Sequence, residues 1–173
     1  KLYQSKLVEI HIEYTKEKIK EENEKLKNNK KYSSYNKEEK SYINEIISKT
    51  NIKIQFLNKD NFEEELKKEN ISDKIFFDMK VTNFKEIYKK LKKISKLENC
   101  LKEIENKKYK NIEYTPLFNF DVLHKMKISH DTLLEYGYRM IKKFDLLKQI
   151  IIDKYPYIFI DEYQDTDEKV IKI

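Results

Sequence analysis

The sequence predicts a mostly α-helical chain with a small α/β part near its C-terminal end. Three observations carry that reading. Apolar residues recur at three-four spacing through long stretches that lack glycine and proline, the signature of amphipathic helices. Backbone breakers are scarce: among 173 residues Gly137 is the one glycine, and Pro116 and Pro156 are the two prolines. Near the C-terminal end a four-residue apolar run, Tyr157 to Ile160, follows Pro156 and opens abruptly onto Asp161 and Glu162. A buried strand delivers carboxylates to its C-terminal edge in this way, and ligands of open α/β sheets gather there.

Taken in order, residues 2 to about 30 predict a long amphipathic helix. Leu7, Ile10 and Tyr14 share one face, with Ile12, Ile19 and Leu26 offset from it. The polar segment Asn28 to Asn36 reads as a loop, and a second helix from about Lys37 to Lys49 buries Tyr42, Ile43, Ile46 and Ile47. Strict alternation over Ile52 to Phe56 argues for a short strand or extended segment. Asp60 and Glu63 have the form of a capping pair for a short helix with Phe62 and Leu66 inward. Thr82 is placed to cap the most regular helix of the chain, about Asn83 to Asn106, whose stripe is Phe84, Ile87, Leu91, Ile94 and Leu101. The two long helices are expected to lie antiparallel with the 37–49 helix against them.

The character changes near Lys110. Residues 112–120 are aromatic and interrupted by Pro116, which reads as extended chain. Ser129 to Thr132 is a helix-start cluster, and Leu133, Leu134, Met140 and Ile141 form the buried face beyond it. Asp145 restarts a helix through Leu147, Ile150 and Ile151 that Pro156 ends.

Charged residues make up 39% of the chain, equal to the hydrophobic share, so the core is thin and the helices carry long solvated faces. The net charge of +6 permits a polyanionic partner without demanding one. Arg139 is the one arginine among 37 basic residues, which leaves little for bidentate recognition of bases or phosphates. A single cysteine, Cys100, excludes an intramolecular disulfide and a cysteine-built zinc cage, and fits a reducing compartment. His11, His124 and His130 are too scattered for a zinc site, and His130 suits a helix start. No apolar run is long enough to span a bilayer and no signal-peptide pattern opens the chain, so a cytoplasmic protein is expected. Lysine runs such as Lys89-Lys90, Lys92-Lys93 and Lys107-Lys108 fall on predicted exposed faces, where they suit phosphates and not sequence readout. Most of the 13 tyrosines and nine phenylalanines sit on apolar stripes and are assigned to packing, with single-stranded base stacking as the alternative.

An acidic pair after an apolar run suits a metal–nucleotide site. One carboxylate holds a hard cation and its neighbour takes a proton from an attacking water. The same pair also occurs as an ordinary helix N-terminus. The longer string Asp161-Glu162-Tyr163-Gln164-Asp165-Thr166 is far more restrictive. It resembles motif II of the UvrD/Rep/PcrA-type superfamily 1 DNA helicases, an apolar strand followed by Asp-Glu-(Phe or Tyr)-Gln-Asp-Thr. Upstream, Ile128-Ser129-His130-Asp131-Thr132-Leu133-Leu134, two short helices and an aromatic-proline turn also resemble the family.

The resemblance implies a fragment of a RecA-like ATPase domain, called 1A, over residues 109–173, carrying the motif II strand. Residues 1–108 then occupy the place of the family's helical 1B insertion, which lies beside single-stranded and duplex DNA; here only position and helical character speak. By position, Asp161 would hold the Mg²⁺ of MgATP and Glu162 would be the catalytic residue that polarises water at the γ-phosphate. Gln164 and Asp165 would belong to the nucleotide-binding network, though a polar turn capping the next helix explains them equally, as it does Thr166. After Thr166 the family often has Asn and, a few residues on, Gln, where this chain has Asp167-Glu168-Lys169-Val170.

The implied parent is an ATP-dependent DNA helicase acting on single-stranded and junction DNA together with its remaining helicase domains. With one glycine, these residues hold no G-x-x-x-x-G-K-[ST] phosphate loop, so this piece is not expected to hydrolyse ATP by itself. Two alternatives stand beside this reading: a fragment of a helicase-nuclease or anti-phage defence helicase, and a non-enzymatic helical interaction module.

Overall fold

The computed structural model describes residues 2–108, 111–117, 119–157, 159 and 166–171. In chain order they form α1 (Leu2–Lys27), α2 (Lys30–Ser33), α3 (Lys37–Lys49), α4 (Phe62–Lys68), α5 (Lys74–Phe77), α6 (Val81–Glu105), β1 (Glu113–Tyr114), β2 (Lys127–Ile128), α7 (His130–Lys143), α8 (Asp145–Lys154) and α9 (Glu168–Ile171). Single 3-10 turns occur at Ile54–Phe56 and Leu123–Lys125. The described chain is therefore mostly helical with a small two-stranded parallel sheet, the fold class that the sequence predicts. Its contacts divide it into two compact units, Glu17–Asn99 and the combination of Lys1–Lys16 with Cys100–Ile173.

Within Glu17–Asn99, the later part of α1 runs antiparallel to α6. Glu22 accepts from Lys93 at 2.8 Å, the Lys25 carbonyl from Lys90 at 3.5 Å, and Glu86 from Asn29 at 2.8 Å, so numbers rise along one helix as they fall along the other. Helix α3 lies against this pair, as its spacing predicts. Lys92 donates to the Ser48 carbonyl at 3.0 Å and the Tyr88 hydroxyl to that of Thr50 at 3.3 Å. Ile43 and Ile47 enter one apolar core with Phe62, Phe76, Phe84 and Ile87. Phe84 meets Phe62 edge-on at 5.1 Å and Phe76 at 6.3 Å, the arrangement favoured by ring quadrupoles. Burying each such side chain contributes about 1.5–3 kcal/mol.

Helix starts follow local chemistry. Asn36 opens α3 through a reciprocal capping box: its side chain accepts from the Glu39 N–H at 2.9 Å, and Glu39 accepts from the Asn36 N–H at 2.8 Å. Helix ends show the cost of having a single glycine. Asn70 and Lys107 occupy the left-handed positions after α4 and α6, with φ of 58° and 55°. Each closes its helix with a Schellman pair of bonds, Ile71 to Leu66 and Asn70 to Lys67 in the first case, Lys108 to Glu103 and Lys107 to Ile104 in the second.

Four local expectations are corrected. Ile52 to Phe56 is irregular chain ending in a 3-10 turn: the turn breaks the alternation, so that Ile52 and Leu57 enter the core while Phe56 is 65% exposed, and there is no neighbouring strand to pair among the described residues. The polar segment after α1 contains α2, capped by Asn29, which accepts from the Tyr32 N–H at 3.0 Å. Asn61, not Asp60, precedes α4, since Asn58 and Asn61 bond reciprocally at 2.9 and 2.8 Å and set the turn. Thr82 lies inside α6, which starts two residues earlier than expected, at Val81, with the Phe84 N–H bonded to the Lys80 carbonyl.

The second unit is built on α7. Its sheet pairs Glu113 with Lys127 and Tyr114 with Ile128 in parallel, inside the segment read as extended and the approach to α7. Ile112, Leu123, Met126 and Ile128 are buried beneath it.

Candidate functional site

The sequence places the chemistry at Asp161, Glu162, Gln164 and Asp165, and these four lie outside the described residues, as do Ile158, Ile160 and Tyr163. What the structure describes is the frame on either side. Before the motif, α7 passes directly into α8 at Phe144, and α8 ends where Tyr155 donates its N–H to the Ile151 carbonyl at 2.8 Å, one residue before Pro156. Tyr157 and Phe159 follow, 81% and 95% exposed, and neither is in a strand. The strand expected over 157–160 is thus corrected at those two positions. A strand exists only through a hydrogen-bonded neighbour, and among the described residues the sheet holds β1 and β2 alone.

After the motif, the Val170 and Ile171 N–H groups turn back to the Asp167 carbonyl at 2.9 and 3.3 Å. Asp167, not Thr166, therefore opens α9. Helix α7 lies against both α8 and α9, so one helix supports the two flanks of the motif.

The grip on α7 comes from polar groups buried in an otherwise apolar setting. At its start, Asp121 accepts from the Ser129 N–H at 2.8 Å and from the Thr132 hydroxyl at 2.7 Å. Ser129 and Thr132 are themselves buried, and the Ser129 side chain makes no capping bond to the helix backbone; the carboxylate eight residues upstream instead holds the Ser129 backbone and the Thr132 side chain. One turn further on, the Tyr136 hydroxyl lies 2.8 Å from His11 Nδ1, and both residues are fully buried. Tyr14 joins the two levels: its hydroxyl is 3.5 Å from Thr132 Oγ1, its ring meets that of Tyr136 at 5.4 Å, and the Arg139 guanidinium sits 5.3 Å from its centroid. Arg139 is also paired with Glu135 at 2.6 Å. At the end of α7, Lys143 bridges Glu9 at 2.9 Å and Glu13.

Burial decides the protonation of this cluster. It pushes the His11 imidazole down from 6.5 to about 4, against the opposing pull of the Leu123 carbonyl and the Asp121 carboxylate. The ring is neutral at physiological pH. Burial likewise raises the Tyr136 phenol, with the Asp121 charge adding to it, so the hydroxyl keeps its proton, and the His11 tautomer sets which of the two groups donates. The hydrogen bond from Lys143 holds the Glu9 carboxyl below its ordinary value.

The sequence reading does not reveal this network. It puts Leu7, Ile10 and Tyr14 on the buried face of α1, whereas the structure buries Val8, Ile10, His11 and Thr15. The signal present was His11 flanked by two isoleucines on a helical stripe, but its partner Tyr136 is 125 residues away. His130 begins α7, as its helix-start reading predicts, with Nδ1 3.5 Å from the Tyr114 hydroxyl. Among the described residues no group of three or more histidine, cysteine, aspartate or glutamate side chains is placed to hold a metal ion. No helix of the described residues is long and apolar enough to cross a membrane.

No solved structure matches the chain. It is 60% identical over 95 residues to the Gabija protein GajB of Bacillus cereus (strain HuB5-5), a match covering 54% of this chain and 14% of that protein. It is 49% identical over 49 residues to the RecBCD enzyme subunit RecB of Buchnera aphidicola subsp. Acyrthosiphon pisum (strain APS), covering 28% of this chain and 4% of that protein. The chain thus spans a small part of the length of both relatives. A family model described as UvrD/REP helicase N-terminal domain matches residues 4–173, nearly the whole chain. The chain belongs to the UvrD/REP helicase family, within its N-terminal domain.

Proposed function

We propose that this chain is the part of an ATP-dependent DNA helicase that carries the MgATP-contacting acidic motif, and that the parent protein couples ATP hydrolysis to movement along single-stranded DNA and duplex unwinding. The observation that carries the reading is the string Asp161-Glu162-Tyr163-Gln164-Asp165-Thr166 after an apolar run, inside a chain that the helicase family matches over residues 4–173. The donor set fits the group: adjacent carboxylates supply hard oxygen ligands, which Mg²⁺ prefers, and the cysteine and histidines that would favour a softer metal lie elsewhere in the sequence.

Asp161 holds the Mg²⁺ of bound ATP, through oxygen or an intervening water. Glu162 orients and polarises the water that attacks the γ-phosphate. Bound Mg²⁺ neutralises charge on the phosphates, and phosphoryl transfer depends on that and on positioning more than on covalent chemistry. Gln164 and Asp165 link the nucleotide to neighbouring motifs of the parent chain. Residues 1–108 serve as the 1B-like insertion that guides DNA, and residues 109–173 as part of the 1A ATPase domain, in a cytoplasmic protein.

The test is DNA-stimulated ATP hydrolysis by the intact protein. Asp161→Ala and Glu162→Gln are each expected to lower it by at least about 100-fold, the scale on which a lost transition-state contact acts. Undiminished turnover in both variants would overturn the site assignment.

A narrower reading makes the parent an anti-phage defence helicase or a helicase-nuclease subunit. Two observations favour it: the identity of 60% over 95 residues to Gabija protein GajB and of 49% over 49 residues to RecBCD enzyme subunit RecB. Phage plating on cells carrying the intact gene or its Glu162→Gln form tests the first, and DNA degradation by the purified parent protein tests the second.

A further inference from the structure

The acidic motif lies between α8 and α9, and both of those helices rest on α7. What orients α7 therefore orients both flanks of the motif. Apolar contact alone does this poorly. Helix α8 has no buried residue, with Leu146 67% and Ile152 54% exposed, and α9 is only four residues long. Neither flank carries a core of its own.

Helix α7, by contrast, is held at two levels by directional bonds that are satisfied in only one rotation and one axial position of the helix. At its first turn the two Asp121 oxygens divide between the Ser129 N–H and the Thr132 hydroxyl, at 2.8 and 2.7 Å. One turn later Tyr136 bonds the fully buried His11 at 2.8 Å. Thr132 and Tyr136 are four residues apart, hence on one helix face. Tyr14 of α1 touches both, at 3.5 Å from the Thr132 hydroxyl and 5.4 Å between its ring and that of Tyr136. A slip of α7 by one residue would strand three buried polar groups at once, each at a desolvation cost, whereas a purely apolar seam tolerates such slips.

We infer that Asp121, Thr132, Tyr136 and His11 are positioning residues for the MgATP motif: by fixing the rotation of α7 they set the two helices that flank it. The inference rests on the proposed function of that segment. None of the four touches nucleotide in this account; they act through α7. The network thereby joins the start of the chain to a motif some 150 residues further on, and of these four residues only Thr132 falls in the segment Ile128 to Leu134 that resembles the family.

The experiment compares steady-state ATP hydrolysis by the intact protein, with saturating single-stranded DNA, for Tyr136→Phe, Thr132→Val, Thr132→Ser and Glu162→Gln. Tyr136→Phe removes one hydroxyl and keeps the ring. Thr132→Val keeps the shape and removes the donor, while Thr132→Ser restores the donor without the methyl. The expected result is a kcat lowered roughly 5- to 50-fold in Tyr136→Phe and Thr132→Val, with KM for ATP within about twofold of the parent and activity largely recovered in Thr132→Ser. Rates are taken per folded molecule well below the melting transition of each variant, so lost stability alone would not change kcat. If Glu162→Gln is inactive while Tyr136→Phe and Thr132→Val turn over as the parent does, the positioning role is overturned and the motif assignment stands. Equal losses in Thr132→Val and Thr132→Ser would also overturn it, since packing and not the hydroxyl would then be responsible. Full activity in Glu162→Gln would remove the proposed function itself.

Discussion

His11 Nδ1 and the Tyr136 hydroxyl lie 2.8 Å apart in the folded chain, although 125 residues separate them in sequence. The imidazole is fully buried, and burial holds it neutral with a pKa of about 4, against 6.5 for the ordinary group. Burial of this one ring ties stability to pH.

Because the folded value lies below the unfolded one, the neutral ring contributes stability that is fully present above pH 6.5. It is lost as pH falls from there towards 4, while the unfolded chain takes up a proton and the folded chain does not. Between pH 7 and 5 the expected loss is about 2 kcal/mol. Urea unfolding at the two pH values measures it. His11→Gln is expected to be less stable at pH 7 and to show little of this slope, and an unchanged slope would refute the assignment.

Glu22 has only 8% of its side chain exposed and receives Lys93 at 2.8 Å and Lys25 at 3.0 Å. Burial pushes its carboxyl up, but the two lysine hydrogen bonds prevail and hold it below 4.5. Its contribution is therefore present above pH 4.5 and lost as pH falls below that. Both lysines are more than half exposed, so screening limits the pair, and Lys93→Ala is expected to cost about 1 kcal/mol or less. A double-mutant cycle with Glu22→Gln measures the coupling, which should shrink in high salt.

Phe84 is fully buried among Phe62, Phe76 and Tyr88. Phe84→Ala should lower stability by about 3–5 kcal/mol, the range for deleting a core aromatic. Thermal unfolding checks this, and a loss under about 1 kcal/mol would show that the core around α6 refills the space.

Gly137 sits in the middle of α7, where its backbone is not left-handed, and a Cβ placed on it would meet nothing within 4 Å. Nothing in the structure requires a glycine there. Gly137→Ala should raise stability by about 0.5–1 kcal/mol through the lower entropy of the unfolded chain. A fall in melting temperature would contradict it.

What the sequence determined by itself is local. Periodicity and caps located α3, α6, α7 and α8 to within about two residues, because apolar spacing and helix-end chemistry act over one or two turns. The acidic string is likewise contiguous and can be read without a structure, and its role at MgATP is what we propose. Tertiary structure decided the rest. Alternation over Ile52 to Phe56 proved to be a turn, since a strand needs a partner that no local pattern can supply. Asp121 took the Ser129 N–H and the Thr132 hydroxyl at the start of α7, and Tyr136 found His11, because a buried polar group is satisfied by whatever the fold brings near it, however distant along the chain. The sequence thus displays the acidic string, while the bonds that hold α7 exist only once His11 and Tyr136 have met.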